Sequence, residues 1–188
     1  MLIQALQSKL RGAATAIIVL LILPLTSAAE AYSADEQTLS AALTLRIAKF
    51  IDWPSRPALA EDIPYFIVGV YGSIPTQSAF APINGKSSKG KTVKIVRVDP
   101  STDPRDLRRC HIIYVDAASD QQVILKMTRR SRGILTVFGP GSGLQIDPCL
   151  RLAREGENLA FDIDLRSTRR SNLDVDAGLI RLARNVKK

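Results

Sequence analysis

The chain has 188 residues, 46% of them apolar, 23% charged and only 5% aromatic, with a formal net charge of +8. That length suits one domain with a mostly aliphatic core, and the composition excludes a disordered or fibrous protein.

Lys9 and Arg11 make a positive start, Ala13–Leu25 run apolar apart from Thr15, and small residues follow in Ser27-Ala28-Ala29-Glu30-Ala31. This is the three-part layout of a secretory signal peptide, with cleavage expected after Ala29 or Ala31. The apolar run is 13 residues, short of the ~20 that an easy membrane span needs. The predicted domains are therefore a signal peptide, 1–31, and one exported mature α/β domain, 32–188. Removing the leader lowers the net charge only from +8 to +7. A basic surface suits nucleic acid, anionic membrane or an acidic partner, and export argues against nucleic acid.

In the mature chain, Leu39, Leu43, Ile47 and Phe50 recur at helical spacing, predicting a helix over 35–51 with Ser33 or Asp35 as its cap and these four side chains inward. Pro54 cannot continue a helix, and it pushes Trp53 toward extended backbone, so Asp52-Trp53-Pro54 forms a corner. Residues 63–71 are continuously apolar, as in a strand covered on both faces. A short helix is expected over 76–81, then a polar loop from Asn84 to Gly90 and a half-buried strand over 92–98. Asp99–Asp106 reads as a loop. His111–Val115 is a buried strand, followed by a helix from Ser119 or Asp120 to about Arg130. Gly133 is placed as that helix's C-terminal cap. Ile134–Phe138 is another buried strand, and Gly139–Gly143 a flexible loop.

Then the rhythm changes to alternation. Leu150–Arg154 and Leu159–Leu165 flank Glu155-Gly156-Glu157-Asn158 and read as a hairpin with a four-residue turn. Arg166–Asn172 is a short helix, and Asp176–Val186 a terminal amphipathic helix with Leu179, Ile180, Leu182 and Ala183 inward. Strand–helix alternation followed by a hairpin predicts a single α/β domain: a mainly parallel sheet flanked by helices, with a C-terminal antiparallel hairpin.

Chemistry-bearing residues are few. His111 is the only histidine, and at the head of an apolar strand it suits a structural role better than a catalytic or metal-ligating one. Asp162 and Asp164 share a strand face; they suit the wet face of the hairpin better than acid–base catalysis. Gly139-Pro140-Gly141-Ser142-Gly143 lacks phosphate-loop spacing, so its glycines read as turn formers. No enzyme, metal or cofactor is expected. Cys110 and Cys149 are the only cysteines; in an oxidising compartment they are a disulfide candidate, though sequence leaves their pairing open. Trp53, the only tryptophan, is either a lid over the core or an exposed anchor for a protein partner.

Several segments in order resemble the YfiR-like family of periplasmic proteins. Ala42 to Pro54 resembles its opening helix and Trp-Pro corner, and Ile67 to Gly72 its next strand. Cys110-His111-Ile112-Ile113-Tyr114-Val115 is similar to its Cys-His strand, and Gly133 to Val137 to the strand after the following helix. Leu159–Leu165 and Leu173–Ala183 are similar to its closing segments. The resemblance implies a non-enzymatic repressor that binds the periplasmic domain of an inner-membrane diguanylate cyclase, lowering cyclic di-GMP and biofilm formation. It also implies an outer-membrane-associated protein that sequesters the repressor. Family members often carry a cysteine where Gly69 stands, apparently the mate of the one matching Cys110. The candidate partner contacts are Trp53 and Arg56 on the corner and Arg181 and Arg184 on the terminal helix; an apolar patch around Trp53 would equally suit a homodimer. The alternative function is a periplasmic small-ligand-binding protein.

Overall fold

The computed structural model describes residues 26–53, 64–128, 131–142 and 147–188, with side chains from Glu36 onward. The charged start and apolar run of the expected signal peptide, with Pro54 and Arg56, lie outside the described residues. The chain divides into units Met1–Asp35 and Glu36–Lys188. Residues 26–35 of the first are helical, and the second carries the sheet.

Helix α1 spans Thr26–Ala48, so Ser33 and Asp35 lie within it rather than capping it. Its buried seam is Ser40, Ala41, Thr44, Leu45, Ile47 and Ala48. This corrects the expected stripe: Leu39 is 45% exposed, and Leu43 and Phe50 are only partly buried. Ala41, Thr44, Leu45 and Ala48 follow helical spacing, and small side chains let the helix approach its neighbours closely. The helix ends by tightening, with Phe50 N–H donating to Ile47 C=O at 2.9 Å. Strand β1, Ile51–Asp52, follows at once.

The remaining elements are β2 (Tyr65–Tyr71), α2 (Ile74–Phe80), β3 (Ser87–Ser88), β4 (Lys91–Val98), α3 (Pro104–Leu107), β5 (Ile112–Val115), α4 (Gln121–Thr128), β6 (Leu135–Phe138), β7 (Leu150–Glu155), β8 (Asn158–Asp164), α5 (Leu165–Arg170), β9 (Asp174–Val175), α6 (Ala177–Leu182) and β10 (Asn185–Lys187). The main sheet runs β10-β8-β7-β6-β5-β2-β4-β3, and β1 pairs with β9 in a separate two-stranded ladder. Pairs β2–β4, β2–β5, β5–β6, β6–β7 and β8–β10 are parallel, and β3–β4 and β7–β8 antiparallel. The single α/β domain with a mainly parallel sheet and an antiparallel hairpin is thus as expected.

Alternation along the central strands divides the core. Phe66, Val68, Val70, Ile112, Tyr114, Leu135 and Val137 face one cluster, with α1. Ile67, Tyr71, Ile113, Val115 and Phe138 face another, with Leu107 and Ile124. Burial on both faces explains the continuous apolar runs. Cys110 belongs to the second cluster and Cys149 to the first. No disulfide joins them, which corrects the candidate pairing. Cys110 Sγ lies 3.8 Å from the Asp106 carbonyl and Cys149 Sγ 3.6 Å from Ser171 Oγ.

Four further corrections are local. The hairpin pairs Glu155 with Asn158, so Gly156 and Glu157 alone turn it, and Gly156 takes φ +62°. The polar loop contains β3, which returns to β4 through Lys89 and Gly90, both at positive φ, as a tight hairpin requires. Gly133 does adopt positive φ, but its N–H donates to the Ser171 carbonyl at 2.5 Å; it serves the packing of a later turn rather than capping α4. The terminal helix stops at Leu182. Ala183 turns to extended backbone and β10 pairs with β8 at Asn185↔Asp162 and Lys187↔Asp164. Of the residues expected inward, Leu179 is buried and Leu182 is 68% exposed.

Candidate functional site

Chain geometry brings the corner after α1 and the segment before α6 together. Ile51 pairs with Val175 and Asp52 with Asp174, and Asp176 N–H donates to Phe50 C=O at 2.9 Å. Asp176 then caps α6, accepting from Gly178 N–H at 2.6 Å. Two segments distant in sequence therefore share one part of the surface. Trp53 follows β1, and Arg181 and Leu182 are exposed on α6.

Trp53 is half-buried and packs on the core beneath α1. Its ring meets Phe66 edge-on at 5.4 Å and His111 at 6.3 Å, and Phe66 stacks on His111 at 4.7 Å. These pairings add to burial by offset and edge-to-face electrostatics. The indole Nε1 is buried without a hydrogen-bond partner among the described residues, unusual for a tryptophan, whose N–H normally finds an acceptor when buried. The lid reading of Trp53 describes its packing.

His111 is built into the sheet. Its backbone N–H donates to Ile67 C=O at 2.8 Å, and its Nδ1 accepts the Ile67 N–H at 3.1 Å. The ring thereby stands in for a ladder acceptor, which requires Nδ1 to be unprotonated. This is the structural role its sequence position suggests.

The two hairpin carboxylates are likewise engaged. Asp162 accepts two hydrogen bonds from Arg184, at 2.9 and 2.7 Å, and one from Asn185 at 3.0 Å. The Arg184 guanidinium holds the Asp162 carboxyl below its usual range. Asp164 is buried, accepts from Ser167 N–H at 2.7 Å and caps α5, with Lys187 3.8 Å away. Lys187 also reaches Asp147 at 2.6 Å. Arg184 is thus placed beyond α6 and committed to Asp162, whereas Arg181 stays on the helix. Arg56 lies outside the described residues. In the glycine loop, Gly141 has positive φ and Ser142 Oγ donates to Gly139 C=O, which is turn chemistry; Gly143 lies outside the described residues.

Among the described residues no group of three His, Cys, Asp or Glu side chains is arranged to hold a metal ion, and no helix is long and apolar enough to cross a membrane. Phe66 was not singled out in sequence, and Leu182 was expected inward on its helix rather than exposed. Phe66 carried a weak signal, an aromatic in a buried strand, while Leu182 was misplaced by the apparent continuity of its helix.

A family model described as YfiR/HmsC-like matches residues 37–184. No curated protein matches the chain.

Proposed function

The chain belongs to the YfiR/HmsC-like family, whose members are periplasmic regulators of diguanylate cyclases, and from that premise we propose that it represses an inner-membrane diguanylate cyclase by binding the cyclase's periplasmic domain. The match across residues 37–184 is the observation that carries this reading. Binding favours the inactive cyclase by its differential affinity for the two states, which lowers cyclic di-GMP and biofilm formation. An outer-membrane-associated protein that sequesters the repressor releases the cyclase by the same mass action.

The proposed contact surface centres on Trp53 and α6. Trp53 offers the accessible part of a large, half-buried ring, and Arg181 and Leu182 add an exposed cation and an exposed apolar side chain. Tryptophan and arginine are favoured at interface centres. Arg56, close to Trp53 in the sequence, is a further candidate, and Arg184 contributes through the strand it pins. The same patch suits self-association.

Capture from solubilised inner membrane tests this. Retention of a protein identified as a diguanylate cyclase by mass spectrometry, with its cyclic di-GMP synthesis reduced on binding, supports the repressor reading. Arg181→Glu is expected to weaken capture with an unchanged circular dichroism spectrum. Capture unaffected by Arg181→Glu and by Trp53→Phe discards the surface and keeps the function. A cyclase bound without change in its synthesis rate overturns the repressor reading.

A further inference from the structure

Crossovers between parallel strands normally lay a helix across the sheet. Between β4 and β5 this chain places only α3, Pro104–Leu107, and that single turn buries Leu107 over the sheet. Part of the β4 face on this side is left uncovered. A recess of about 240 Å³ results, floored by Ile67, Val96, Val98 and Leu107. Val98 and Leu107 are buried, whereas Val96 is half-exposed.

The rim is cationic. Lys94 points to the same face as Val96 and Val98, by strand alternation, and its Nζ lies 5.3 Å from the Tyr65 ring centroid. Arg109 also lines the recess, against one carboxylate, Asp106, while Arg97 borders it from between Val96 and Val98 and by the same alternation points its side chain to the other face. Arg109 and Asp106 approach only to 3.8 Å and are both largely exposed, so their pairing is weak. Two signals coincide: an apolar floor next to the core and an excess of positive charge at its mouth. A few convergent polar groups around an apolar recess are the usual make-up of a small-molecule site.

We propose that this recess binds a small organic anion with an apolar body, the carboxylate meeting Lys94 and Arg109 and the body covering Val96. The volume suits a single small molecule rather than a peptide. The site lies on the sheet face opposite α1, so it is separate from the Trp53 surface, and the inference does not depend on the cyclase reading.

The test is NMR titration of the purified chain with benzoate, benzamide and inorganic phosphate. Benzoate is expected to shift the amides of Ile67, Val96, Val98 and Leu107 saturably. Benzamide lacks the charge and phosphate lacks the apolar body; each is expected to bind at least tenfold more weakly. Lys94→Ala with Arg109→Ala is expected to weaken benzoate about tenfold, and Val96→Trp to abolish its binding while the remaining spectrum stays folded. Equal binding of benzamide, equal binding of phosphate, or shifts confined to other residues would overturn the proposal, the second showing a bare charge patch. An acidic peptide that outcompetes benzoate at these same amides would replace the small anion with a protein segment as the occupant.

Discussion

Gly69 shows how much one missing side chain decides. A Cβ built there would sit 3.1 Å from Cys110 Sγ and 2.8 Å from Val98 Cγ2. The first distance is about that between a Cβ and the far sulfur of a disulfide, given the ~2.05 Å S–S bond. Gly69→Cys is therefore expected to pair with Cys110, with a small shift of Val98. Intact mass under non-reducing conditions, before and after dithiothreitol, checks it; a variant that remains a dithiol after mild oxidation would refute the geometry. In this chain glycine leaves Cys110 packed in the second core cluster instead. His111 offers the parallel lesson: its backbone N–H donates to Ile67 C=O while its ring accepts from Ile67 N–H, so its place at the head of a strand is explained by the ladder itself.

At the scale of elements, β10 is the most dependent on charge. It has three residues, all half-buried or exposed, and is held by Arg184 and Asn185 on Asp162 and by Lys187 on Asp147. Because Asp162 is depressed in the folded protein, its contribution is complete above the ordinary Asp value of about 3.9 and disappears as pH falls through its lower folded value. Asp162→Asn is expected to cost no more than about 1 kcal/mol, since the pair is partly solvated, yet to speed amide exchange at Val186 while leaving Val68 in the sheet centre unchanged. Hydrogen exchange at neutral pH, repeated on the wild type below about pH 4, checks both; protection of Val186 that persists in the variant would show that backbone pairing alone holds the strand.

Considered as a whole, the protein is a basic body of net charge +8. Its central strands are covered on both faces, and the sheet is open only beside β4 on the face away from α1. Long-range attraction to an acidic partner accelerates encounter and is screened by salt. Raising salt from about 0.05 to 0.5 M is expected to slow association with the captured cyclase by about tenfold and to leave dissociation nearly unchanged. Surface plasmon resonance separates the two rates. A salt effect confined to dissociation would instead assign the charges to close contacts within the interface.

The sequence by itself determined the elements whose signals are long and local. β2, β5 and β6 were legible because strands buried on both faces must be apolar at every position. The β7–β8 hairpin was legible because one covered face imposes alternation. The candidate site was legible only in part: Trp53 was visible as a lone tryptophan beside a proline, but its seat on Phe66 and His111 was not. Tertiary structure alone decided β1, β3, β9 and β10, since two or three residues carry no periodicity and become strands only when a neighbour presents unpaired N–H and C=O groups. It also chose a seam on α1 that sets Ser40, Ala41, Thr44 and Ala48 beside Leu45 and Ile47 and leaves Leu39, Leu43 and Phe50 outside it, because close packing selects for fit as well as hydrophobicity. And it turned Arg184 from a helix-surface contact into the partner of Asp162, because Ala183 leaves the helix and the chain returns to the edge of β8.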